Sequence, residues 1–82
     1  MPRTTRFDRA QVAVLLALEP GGILSVAALA LTLELSGRRA RRAVKRLQRM
    51  GLVVAGGPGG HDGYQITLRG RDALSVGGRT TW

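Results

Sequence analysis

The sequence predicts a mainly α-helical domain closed by one small β-hairpin. Three observations predict it: helical segments with recognisable caps separated by Pro and Gly, a β-rich run answered by a second across a Gly-rich stretch, and an apolar supply that is aliphatic rather than aromatic. With 82 residues there is room for one modest core, since a chain this short buries only about 60% of the surface its unfolded form exposes. A cleft between two domains is excluded. At 44% hydrophobic and only 4% aromatic, that core must be built from Leu, Val, Ile and Ala.

The first helix should begin at about Arg9. Asp8 is its N-cap, Gln11 three residues on is the reciprocal partner of a capping box, and Phe7 is placed to staple against Val12. Val14, Leu15 and Leu18 recur at helical spacing, and Pro20-Gly21-Gly22 ends the segment. Val12 and Leu16 lie off that stripe as spare apolar surface. Ile23-Leu24 allows a strand of two or three residues, after which Ser25 caps a second helix with apolar positions Val26, Leu29, Ala30 and Leu33, ending near Glu34.

Ser36 then caps a third helix, running to about Met50. Ala40, Ala43, Val44 and Leu47 fall on one side of it, and Arg38, Arg41, Arg42, Lys45 and Arg49 on the other. Gly51 suits a left-handed C-cap. Leu52 to Ala55 reads as a strand, the eight residues Gly56 to Gly63 as a loop that continues neither helix nor ladder, and Tyr64 to Leu68 as the returning strand, with Tyr64 a packing residue. Thr67 can cap a short last helix carrying Ala73, Leu74 and Val76. The order of helix, short strand, helix, helix, two-stranded wing and short helix is that of a winged helix-turn-helix. It divides the chain into a basic N-terminal arm (1–6), the domain (7–76) and a tail without periodicity (77–82).

Charge narrows the function. Thirteen Lys and Arg against five Asp and Glu give +8 and a pI near 11.9, which favours a polyanionic partner, nucleic acid first and an anionic membrane surface second. All but Lys45 of these cations are Arg, whose planar fork suits phosphate oxygens and guanine edges. The longest apolar stretch, Ile23 to Leu33, falls well short of the roughly 20 residues that span a bilayer, and no leader pattern is read at the N-terminus. Caps, Gly stops and a hairpin also argue against a lipid-seeking helix, so no membrane partner is expected. With no Cys and one His there is neither a disulfide framework nor a metal-ligand set; no metal or cofactor is expected, and a reducing cytoplasm, with the nucleoid if the source is bacterial, fits.

The third helix carries the functional signal. No acidic residue occurs between Glu34 and Asp62, while Arg38, Arg39, Arg41, Arg42, Lys45, Arg46 and Arg49 crowd one helix. A helix face that served only solubility would intersperse both signs. A DNA duplex relieves the self-repulsion, because each neutralised phosphate releases condensed counterions. Ser36 and Gly37 open the helix whose first turn would enter the major groove; Arg38, Arg39 and Arg42 are the candidates for base edges, and Arg41, Lys45, Arg46 and Arg49 for phosphates. Single strands and RNA fit less well, since the basic face has no aromatic residue on which to stack bases.

The run Leu29-Ala30-Leu31-Thr32-Leu33-Glu34-Leu35-Ser36, the basic helix after it and Gly51-Leu52-Val53 resemble the helix-turn-helix core of MarR- and ArsR-like winged-helix regulators. Ile66-Thr67-Leu68-Arg69-Gly70-Arg71-Asp72-Ala73-Leu74 is similar to the ending of the same families. The resemblance implies a winged helix, duplex DNA as partner and regulation of transcription. Gly59, Gly60 and His61 would form the tip of the wing, which departs from the usual pattern because Gly56 to Gly63 carries no Arg or Lys. His61, a lone loop histidine, is assigned no chemistry.

Regulators of the MarR type usually add long terminal helices that make the dimer and hold the effector. This chain ends too early for them; no small-molecule effector is evident, and a homodimer would use helix 1, where Val12 and Leu16 are available, or the last helix with its tail, which carries Trp82. Paired recognition helices would then require half-sites about 34–36 Å apart. No enzyme is indicated, since neither Asp8 nor Asp72 has a paired carboxylate or nucleophile at a readable spacing. The rival reading is a protein-interaction module, in which the Arg face binds an acidic protein and Val12, Leu16 and Trp82 form an apolar patch.

Overall fold

The computed structural model describes residues 7–56 and 63–79. Four helices and one hairpin follow in the order α1 (Arg9–Leu18), α2 (Val26–Leu33), α3 (Gly37–Arg49), β1 (Val53–Gly56), β2 (Gly63–Ile66) and α4 (Leu68–Arg79). This is the winged-helix order that the caps and stops predict.

Each start has its cap. Asp8 Oδ1 accepts from the Gln11 N–H at 2.9 Å while Gln11 Oε1 accepts from the Asp8 N–H at 3.0 Å, completing the capping box. Ser25 Oγ accepts from Ala28 N at 3.0 Å, and Ser36 Oγ from Arg39 N at 3.1 Å. Two helix ends close with the same paired bonds. After α3, Leu52 N donates to Leu47 O and Gly51 N to Gln48 O, with Gly51 at φ 77°, the left-handed position read from the sequence. After α2, Leu35 N donates to Ala30 O and Glu34 N to Leu31 O, and here the left-handed residue is Glu34, at φ 57°. Sequence reasoning placed the end of α2 near Glu34 but had no signal for its conformation, since glycine ordinarily takes it.

The core joins Val14, Leu15 and Leu18 of α1, Leu29 of α2, Val44 and Leu47 of α3, and Leu52 and Val53 at the start of the hairpin, all buried. Of the apolar positions expected on α2, only Leu29 is fully buried; Val26, Ala30 and Leu33 are half-buried. Tyr64 packs against the core from β2, as expected of a packing residue.

The β elements depart from the expected bounds. The predicted strand at Ile23-Leu24 reduces to a single antiparallel bridge in which Leu24 exchanges both backbone hydrogen bonds with Tyr64, because Ser25 already caps α2. Gly56 and Gly63, expected in the loop, are the last registered pair of the β1–β2 ladder. Ladder bonds use only backbone groups, which glycine supplies, and a Cβ on Gly63 would lie 2.1 Å from Ile23 Cγ2. Leu68, expected on the returning strand, is 82% exposed and opens α4 instead, since Thr67 turns the chain there.

Thr67 is the joint between hairpin and α4. Its Oγ1 donates to Gly51 O at 2.8 Å and accepts from Gly70 N at 3.0 Å, and its N–H donates to Leu52 O at 3.0 Å. Helix α4 runs to Arg79, past the boundary at 76 that lost periodicity predicts. Side-chain periodicity marks packing, whereas a helix already nucleated extends by backbone bonds at a cost of about 1 kcal/mol per Gly. The N-terminal arm (1–6), the wing tip with Gly59, Gly60 and His61, and Trp82 lie outside the described residues.

Candidate nucleic-acid interface

Helix α3 is held from behind. Ala40, Ala43, Val44 and Leu47 are all buried, and the helix packs against α1, α2 and β1. The small Ala40 and Ala43 leave room for close approach, and Val44 and Leu47 are fully sealed. The α2–α3 connection is the short turn Glu34-Leu35-Ser36, so the α2–turn–α3 unit is a helix-turn-helix with its second helix fixed in orientation.

All seven cations of α3 are exposed. At about 100° per residue they divide into three sets. Opposite the buried seam lies the outward stripe Arg38, Arg42, Lys45 and Arg49, spaced by four, three and four residues, which spans about 16 Å at 1.5 Å per residue. Arg41 stands on one shoulder of that stripe. Arg39 and Arg46, seven residues apart, stand on the other shoulder, beside Ala43, where with Arg42 they line a cleft against Asp8, Ala10 and Gln11 at the start of α1. Arg39, expected beside Arg38 as a base reader, is therefore on the flank.

The first turn of α3 is open. Gly37 is exposed and a Cβ built on it meets nothing within 4 Å, so the backbone there can approach a ligand. Of the residues expected to form an apolar contact surface, Leu16 is 53% exposed and Val12 is half-buried, on a helix whose Val14, Leu15 and Leu18 face the core.

Sequence reasoning missed four residues that shape this region. The sequence accounts for Gln11 as a capping partner, yet it is 5% exposed and lines the cleft. Arg71 donates to Glu19 O at 2.8 Å, capping the end of α1 from α4. Gly70 sits where a Cβ would lie 2.3 Å from Leu52 O. Glu34 takes the left-handed turn. Only Gly70 carried a signal, as a glycine inside a helical pattern. The other three depend on contacts between elements distant in sequence or on a turn that its residue type does not announce.

Among the described residues no group of three or more His, Cys, Asp or Glu could hold a metal ion, and no helix is long and apolar enough to cross a membrane. No curated protein and no solved structure matches the chain. A family model, that of the MarR family, matches residues 7–63, from Phe7 ahead of α1 through the first residue of β2, and so includes the whole helix-turn-helix. With the winged-helix order, the capped α2–turn–α3 unit and its exposed arginine stripe in place, the chain belongs to the MarR family of winged-helix DNA-binding transcription regulators.

Proposed function

We propose that α3 reads duplex DNA in the major groove, and that the protein acts as a sequence-specific regulator or DNA-binding accessory factor. The observation that carries this reading is the four-residue outward stripe, Arg38, Arg42, Lys45 and Arg49, with no carboxylate on the helix to offset it. A major groove about 12 Å wide admits one α-helix, and a stripe about 16 Å long passes roughly five base pairs. Ser36, Gly37 and Arg38 enter first, with Arg38 and Arg42 aimed at base edges, where Arg bidentate to guanine is the commonest specific pairing. Arg41, Lys45 and Arg49 hold phosphates, joined by Arg39 and Arg46 on the flank.

Selection of binding duplexes from a random library tests the specificity. A defined motif should emerge, Arg42→Ala should relax preference at one or two base pairs with a loss of about 1–3 kcal/mol, and Lys45→Ala should weaken all duplexes alike. A library that returns unenriched would refute sequence reading. An acidic protein, the rival partner for the same face, would leave both variants without effect on duplex affinity.

A further inference from the structure

The cleft beside α3 has a composition that the outward stripe does not explain. It measures about 150 Å³ and brings Asp8, Ala10 and Gln11 from the first turn of α1 against Arg39, Arg42 and Arg46. Gln11 is only 5% exposed. Its Oε1 is occupied by the Asp8 N–H, its own N–H by Asp8 Oδ1, and its Nε2 has no partner among the described residues. Among the described residues no buried side-chain nitrogen or oxygen is sealed without a partner, so this free amide donor reaches solvent, and Gln11 is one of the residues that line the cleft. A nearly buried side chain held by a capping box, three arginines and the positive end of a ten-residue helix border one space.

The geometry points to this cleft as a seat for one phosphate group, with Gln11 Nε2 as its fixed hydrogen-bond donor and Arg39 and Arg46 as its charge partners. The occupant is a backbone phosphodiester of the duplex that α3 enters, since the cleft flanks α3 on the shoulder where one strand must run; in this the inference rests on the proposed function. It adds α1 to the interface and fixes the rotation of α3 about its own axis. Asp8 lines the same space and opposes the phosphate, which limits the affinity of the seat and makes that affinity tunable.

Two substitutions separate this role from capping. Gln11→Glu keeps the acceptor oxygen on which the capping box depends and exchanges the free donor for a carboxylate oxygen; Asp8→Asn keeps a good N-cap and removes the opposing charge. Duplex affinity should fall roughly tenfold or more for Gln11→Glu and rise about two- to fivefold for Asp8→Asn. The second variant keeps the test valid where the first lowers the urea midpoint. Alongside, ¹H–¹⁵N spectra of the full chain are followed during titration with duplex and, separately, with inorganic phosphate. Shifts of the Gln11 side-chain amide with duplex alone identify the phosphodiester; shifts with inorganic phosphate as well show that the seat accepts free oxyanions, and both support the seat. If the α3 amides shift with duplex while the Gln11 side chain does not, and both variants bind as wild type, the seat is overturned and groove reading stands. If phosphate reaches Gln11 but duplex shifts no α3 amide, groove reading fails and the seat survives as an oxyanion site.

Discussion

Replacing Gly70 by Ala sets two effects of opposite sign against each other. Inside a helix, Gly to Ala ordinarily stabilises by about 1 kcal/mol. Here an added Cβ would lie 2.3 Å from Leu52 O and 2.6 Å from Ile66 Cγ1, and neither neighbour is the free end of a flexible chain. Leu52 O is fixed by the Thr67 N–H at 3.0 Å, and Ile66 belongs to the ladder through its pairing with Val53. Relief requires α4 to back away from the hairpin, straining the two Thr67 Oγ1 bonds to Gly51 and Gly70. Overpacking typically costs 1–3 kcal/mol, and backbone contact on one side places this site at the upper end. The net effect is a loss of about 2 kcal/mol, a fall in Tm on the order of 10 °C for a domain of this size. Urea unfolding followed by circular dichroism reads it as a lower midpoint at unchanged slope. Gly37→Ala is the matched control: with nothing within 4 Å of its Cβ it should gain about 0.5 kcal/mol. A Gly70→Ala protein as stable as wild type would refute the packing described for α4.

Three further substitutions test other parts of the fold. Leu47→Ala opens a cavity under α3 at a residue with no exposure and should cost 2–5 kcal/mol by the same urea assay, on the order of half the stability of a small domain. Glu34→Gly removes the strain of a left-handed non-glycine residue and should raise stability by about 1 kcal/mol, read as a higher Tm; a fall would show that the glutamate side chain contributes more than its backbone costs. Arg71→Met keeps the apolar stem but loses the bond to Glu19 O, an exposed contact at a helix end, and should cost about 0.5 kcal/mol, with faster amide exchange in the last turn of α1.

What was legible in the sequence was local. Asp8, Ser25 and Ser36 announced their helices through caps that act over three residues, and Ala40, Ala43, Val44 and Leu47 announced the buried side of α3 through a 3.6-residue period. The candidate interface was legible for the same reason, since one helix carries all of its arginines. The contacts that needed the fold were those between elements. Periodicity places Arg39 on α3 but cannot say that its shoulder faces the first turn of α1, and a capping box accounts for Gln11 without showing that the residue also lines a cleft. Pairing runs on through Gly56 and Gly63, turn-forming residues whose backbone still serves the ladder, and β2 stops short of Leu68 because the Thr67 joint, a contact distant in sequence, ends the strand there.

The central claim is that α3 holds duplex phosphates with its exposed cations. Fluorescence anisotropy on a mixed-sequence duplex over a salt series tests it most directly, with wild type beside a triple Arg41→Ala, Lys45→Ala, Arg49→Ala variant. The account predicts that the wild-type log affinity falls by about 4 to 6 per log unit of salt, and that the variant loses affinity together with about 2 to 3 of that slope. Weak binding with no salt dependence, or a variant indistinguishable from wild type, would contradict it.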